Sequence, residues 1–346
     1  MPKKVREIGI VIGKLPPGEK NCITDVAGVR VGHVTLDEEM NRDGAYACTG
    51  VTAILPHEGN LFQQKVTAAS YVLNGFGKTT GLVQVNELGV IESPIMLTNT
   101  FGVPAVTQGT LQFMLDTNSE IGLSTGTINI VVGECNDSYL NSIRECPVTP
   151  EHAVEAIRKA SNDTAEEGAV GAGKGMMCFG YKGGIGSSSR IVTHGSTNYT
   201  VGCIVLSNFG QSSEFLAHQY LSNGQSESIL SPTDGSIIIV LATNAPLSSR
   251  QLTRVIKRCS IGLGRTGSHF SHGSGDIVIG FTTANQIAHQ SDQLVETRTQ
   301  LREDHPIMNQ LFAATAEATE EAILNSLSQA QTTIGRNGHK VEAYQF

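Results

Sequence analysis

Ser236 heads the most apolar run of the chain, Ile237-Ile238-Ile239-Val240-Leu241-Ala242-Thr243, directly behind Asp234-Gly235. Four of the five residues after it are β-branched, so the run reads as a strand buried on both faces. Ser231, Pro232, Asp234 and Gly235 supply the turn before it. By itself, a Gly-Ser at that junction is only a loop residue starting a core strand. It suits one chemistry beyond that. If the Gly235–Ser236 bond is broken, Ser236 gains an α-amine beside its own hydroxyl. Such an amine has a pKa of about 8, so near neutral pH an unprotonated fraction can act as base for the adjacent nucleophile. This arrangement needs no histidine. It needs oxyanion donors and polar groups that move protons. Asn208 is a neutral donor at the end of the strand-like Tyr199–Ser207, and Ser274 with Asp276 is a hydroxyl–carboxylate pair ahead of Ile277–Phe281. Glu134 lies in the polar segment that follows the apolar Ile128–Val132.

Competing motifs fail on context. Gly262-Leu263-Gly264-Arg265-Thr266-Gly267 matches a dinucleotide fingerprint, yet it falls at the end of a helical stretch and cannot present a helix N-terminus to a pyrophosphate. Gly168-Ala169-Val170-Gly171-Ala172-Gly173-Lys174 resembles a phosphate loop, but Gly175 replaces the hydroxyl residue that would bind magnesium. The ten histidines include no metal-ligand pair at helical spacing, and His269 and His272 read as solvated loop residues. No Gly-x-Ser-x-Gly elbow exists. Serine chemistry here must be activated some other way.

The elements that would position these residues can be read in outline. Ile8–Ile12, Val29–His33, Cys48–Leu55, Ser70–Leu73, Ile95–Thr100, Met176–Tyr181 and Arg190–Thr193 read as strands beside those already named. Helices are expected up to Gly89, over Val106–Leu115 with Val106, Leu111 and Leu115 inward, after Thr149-Pro150, after the Ser248/Gln251 capping box, and over Ile307–Leu327. Residues 211–235 form a long polar connection of the kind that is functional or disordered. Strand blocks separated by helices imply sheets with helices packed outside, an α/β (α+β) fold.

Bulk properties narrow the partners. The chain has 346 residues and a net charge of −8 spread along its length, which argues against nucleic acid or an anionic membrane. No apolar run approaches a membrane span and no export signal is recognisable at the start. The seven cysteines are odd in number, scattered and never Cys-x-x-Cys, as expected for reduced thiols of a cytoplasmic protein without a metal site.

Five blocks then carry a resemblance: Asn21–Val34, Glu134–Asn141, Ser207-Asn208-Phe209-Gly210, Gly235–Leu247 and Gly273–Phe281. In this order, over nearly the whole chain, they resemble the self-processing aminopeptidases typified by L-aminopeptidase/D-esterase and β-peptidyl aminopeptidases. The resemblance implies a four-layer α-β-β-α sandwich, similar in layering to N-terminal-nucleophile hydrolases but differently connected. It also implies one domain cut at Gly235–Ser236 into 1–235 and 236–346, and a homo-oligomer of these processed heterodimers. Ser236 matches the family nucleophile, Asn208 the oxyanion donor, and Ser274 with Asp276 a proton relay, the aspartate standing where some members carry glutamate. Glu134 matches the acid that holds the substrate's free amine, and Asn136 stands where some members carry a tyrosine; Tyr139 is the nearest phenol in sequence. Small peptides, amides or esters with a free amine are the implied substrates, with no cofactor. Two rivals are an acyl transferase on a similar sandwich, in a family that uses threonine, and an uncut binding protein.

Overall fold

The computed structural model describes residues 2–221 and 235–346. Ser231, Pro232, Asp234 and most of the polar connection lie outside the described residues.

Two sheets form the centre. The smaller contains β1 (Arg30–Glu39), β2 (Tyr46–Leu55), β5 (Ile95–Asn99) and β6 (Val131–Cys135), in that order across the sheet. The larger runs β4 (Val90–Ile91), β3 (Gln64–Gly75), β12 (Gly275–Ala288), β11 (Ser236–Thr243), β10 (Thr197–Asn208), β9 (Gly184–His194). A short hairpin of β7 (Met177–Cys178) and β8 (Tyr181–Lys182) stands apart.

The two-residue period of the strands sorts their side chains into three cores. In β11, Ile238, Val240 and Ala242 join Ile54, Ile95, Leu97 and Val131 between the sheets. Ile237, Ile239 and Leu241 point the other way, onto α4 (Ser249–Ile256), α5 (Cys259–Thr266) and α6 (Ile307–Ser328). On the outer face of the small sheet, Val51, Ala53, Met96 and Val132 pack on α2 (Val103–Thr117) and α3 (Pro150–Arg158). A seven-residue helix, α1 (Leu82–Leu88), precedes β4. The result is the expected α-β-β-α sandwich.

Several expectations need correction. Ile8–Ile12 is no strand: Val5–Ile8 is a 3-10 turn and the segment after it docks on α6. Glu317 accepts from the N–H groups of Lys14 and Leu15, so these donors are satisfied without a sheet. In α2 the buried stripe is Val103, Val106, Thr110 and Met114, whereas Leu111 and Leu115 are partly exposed. The helix after Ser248 is two helices, and Gly262-x-Gly264-x-x-Gly267 lies within and just after the second. Gly184–Ser189, too small and polar to read as a strand, begins β9. A Cβ on Gly186 would meet the Ala322 carbonyl oxygen at 1.9 Å, so glycine here is what lets α6 lie directly on the sheet.

Candidate active site

The site is built where three neighbouring strand ends meet. Ser236, the first residue of β11, pairs with Asn208, the last of β10, and with Gly275, the first of β12. Residues far apart in sequence thus converge because the strands share one register. Ser236 is buried, and its Oγ donates to the Gly235 carbonyl at 2.7 Å. The Gly275 N–H donates both to Ser236 Oγ and to the Gly235 oxygen, each at 3.2 Å. This donor was not anticipated from sequence, because a backbone N–H leaves no mark on residue type.

Asn208 is fixed at both ends of its side-chain amide. Its Oδ1 accepts from Met177 N–H at 2.9 Å and its Nδ2 donates to the Asn136 carbonyl at 3.0 Å. A backbone donor on one side and a backbone acceptor on the other allow only one orientation of the amide. Asn136 serves this arrangement through its main chain; its own side chain is exposed and accepts from Ser138 N–H at 3.0 Å.

Ser274 and Asp276 flank Gly275. Ser274 Oγ donates to Asp276 Oδ1 at 2.7 Å, while Asp276 Oδ2 is buried without a partner. Burial pushes the Asp276 carboxyl up to about 6, a shift the Ser274 hydrogen bond opposes. Asn74 on β3 braces the approach to this pair by donating to the carbonyls of Ser271 and His272 at 3.0 and 3.1 Å, and also to that of Ser274. His269 lies beside Glu214 at 3.5 Å, and neither it nor His272 lines the site.

Glu134, on β6 of the other sheet, lines the same cavity as Ser236, a space of about 370 Å³. Phe76, Lys78, Thr100, Phe101, Asn136 and Gly235 line the same space. The carboxylate is held by Lys78 N–H at 2.9 Å and by the Thr100 hydroxyl. Phe76 and Phe101 give the rim two half-exposed rings. Tyr139 does not line the cavity and stacks on His339 instead, with ring centroids 4.7 Å apart. Thr100 and Lys78 were missed in the sequence because they act on Glu134 only after the segment following β3 folds against the small sheet.

A serine hydroxyl beside an oriented amide at adjoining strand ends, with a fixed carboxylate on the same small cavity, is an arrangement suited to hydrolase chemistry. Residues 21–341 match peptidase family S58, and the chain belongs to that family. It is an enzyme, a peptidase. Among its relatives is the beta-peptidyl aminopeptidase BapA of Sphingosinicella microcystinivorans, 38% identical, the match covering 98% of this chain and 89% of the relative. The PH0078 protein of Pyrococcus horikoshii OT3 superposes with a TM-score of 0.91 at 48% identity, covering 99% of this chain and 96% of that one. The L-aminopeptidase D-Ala-esterase/amidase of Ochrobactrum anthropi superposes with a TM-score of 0.90 at 33% identity, over 99% and 95% of the two chains. The latter is described as a prototype of the serine aminopeptidases and a variant of the Ntn hydrolase fold. Among the described residues no helix is long and apolar enough to cross a membrane.

Proposed function

We propose that this chain is a self-processing aminopeptidase that releases N-terminal residues from small peptides, amides or esters through an acyl-enzyme on Ser236. The observation that carries the reading is the shared cavity of Ser236 and Glu134. A nucleophile and a fixed carboxylate in one small cavity suit a substrate whose free ammonium sits close to its scissile carbonyl.

Maturation comes first. Ser236 Oγ attacks the Gly235 carbonyl carbon, with the Gly275 N–H aimed at the oxygen that becomes negative. The C–N bond breaks, the Ser236 nitrogen takes up the proton, and water hydrolyses the resulting ester to leave a Gly235 carboxylate. One domain thereby becomes 1–235 and 236–346. In turnover the new α-amine accepts the Oγ proton, and Oγ attacks the substrate carbonyl. Asn208 Nδ2 donates to the oxyanion, the leaving amine or alcohol departs with the proton, and a water deprotonated by the α-amine then hydrolyses the acyl ester, returning the proton to Ser236 Oγ and releasing the acid. Ser274 and Asp276 relay protons between Ser236 and solvent, and Glu134 pairs with the substrate ammonium. The working form is a cytoplasmic homo-oligomer of processed heterodimers, without cofactor. Seven free thiols suit a reducing compartment.

Intact-mass measurement of the purified protein is the test. Two fragments meeting at 235/236 are expected, with Ser236→Ala giving one uncut, inactive chain. Hydrolysis of an amide substrate should collapse when its amine is acetylated. A fully active uncut chain, or equal rates on free and blocked substrates, would overturn the reading.

A further inference from the structure

Lys182 is a fully buried lysine for which the mechanism above has no use. Its ammonium donates to three backbone carbonyls, those of Met176 and Gly183 at 2.7 Å and of Gly173 at 3.0 Å. In its protonated form three donors meet three acceptors without a carboxylate, while burial lowers its pKa to about 7. The Met176 carbonyl belongs to the same peptide group as the Met177 N–H. One end of that planar unit is gripped by Lys182 Nζ, and the other donates to Asn208 Oδ1 at 2.9 Å. A continuous chain therefore runs from Lys182 Nζ through one peptide and the Asn208 amide to Nδ2, which donates to the carbonyl of the cavity-lining Asn136.

The local fold is built to hold this chain. β7 and β8 form a hairpin in which Met177 pairs with Lys182, closed by Phe179 and Gly180, both at positive φ. Phe179 N–H donates to the Phe209 carbonyl at 2.7 Å, which seats the hairpin on the residue after Asn208.

We propose that Lys182 is a positioning residue that orients and polarises the Asn208 amide through the Met176–Met177 peptide. A cation on the carbonyl end draws electron density along the peptide and strengthens each hydrogen bond in series. Without it, the Met176 carbonyl keeps only the Gly183 N–H at 3.1 Å, so the Met177 N–H is a weaker donor and the Asn208 amide is held less firmly. The inference rests on Asn208 as the oxyanion donor.

The test is a double-mutant cycle on the mature enzyme with Lys182→Met, Asn208→Ala and the pair. Lys182→Met should lower kcat about 10–100-fold with KM unchanged. Lys182→Gln, which keeps N–H donors without the charge, should fall between it and the parent. In the Asn208→Ala background, Lys182→Met should have no further effect, because its target is gone. If the two losses multiply while Asn208→Ala alone is slow, Lys182 acts elsewhere and the proposal falls, leaving the role of Asn208 intact. An unchanged kcat in Asn208→Ala would remove both. Failure of both Lys182 variants to yield folded protein would assign the residue to stability alone and also overturn the proposal.

Discussion

Asp276 sets two opposing pH dependences from one carboxyl. Burial lifts it from 3.8 to about 6, so the folded chain retains a proton that the unfolded chain releases between these values. Its contribution to stability is therefore complete below 3.8 and is lost as pH rises through about 6. In the proposed relay the dependence runs the other way, because only the carboxylate can accept the Ser274 proton. The rate should fall as pH drops through about 6, and Asp276→Asn should abolish that limb while keeping a higher one from the Ser236 α-amine near pH 8. A profile of kcat/KM from about pH 5 to about pH 9 checks this; an unaltered low limb in the variant would remove Asp276 from the relay. Asp137, buried directly behind Asn136, is pushed up to about 7 mainly by burial, and Glu134 adds to the shift.

Elements matter here through where they end and how closely they pack. β10, β11 and β12 stop at one level, so a serine, an asparagine and a glycine N–H become neighbours. Beneath β9, α6 approaches so closely that small residues are required: Ser188 Oγ donates to the Ala318 carbonyl at 2.6 Å, and Ser207 and Ser326 hydroxyls are 2.6 Å apart. Gly186→Ala would force a methyl group onto the Ala322 carbonyl. The helix must then shift, at a cost of about 1–3 kcal/mol or more. Urea unfolding of the variant should show a lower midpoint at unchanged slope. An unchanged midpoint would mean that the helix is not seated as described.

For the molecule as a whole, the proposed cut does not divide the fold. Residues 236–346 supply β11 and β12, which lie in the large sheet between β3 and β10 of the first piece. The same piece supplies α6, whose Glu317 and Glu321 pair with the fully buried Arg190 at 3.1 and 2.6 Å, and Glu321 also pairs with Arg6 at 2.9 Å. Separating the pieces would expose two hydrophobic cores and strand these charges, where removing one partner alone costs about 3–5 kcal/mol. The fragments should therefore co-elute in size-exclusion chromatography under native conditions and part only in denaturant. Elution of a free 236–346 fragment from native buffer would contradict this interlacing.

The sequence by itself determined much of this protein. The β-branched run after Ser236 declared a strand buried on both faces, and the structure divides its side chains between two cores. The Ser248/Gln251 box capped α4 as written, with Gln251 N–H donating to Ser248 Oγ at 3.3 Å. Ser236, Asn208, Ser274, Asp276 and Glu134 stood out as polar side chains at the edges of apolar runs; the structure gathers the first four at adjoining strand ends and puts Glu134 and Ser236 on one cavity. Residue type cannot express distance. That Gly275 N–H meets Ser236, that Thr100 grips Glu134 and that Lys182 reaches Asn208 through one peptide are facts of strand register and loop packing. The same limit hid β9. Its Gly-Ser start signals a loop to any local reading, since small residues have weak strand propensity. Only the tertiary structure reveals α6 above it, and only a strand of small residues lets a helix come that close.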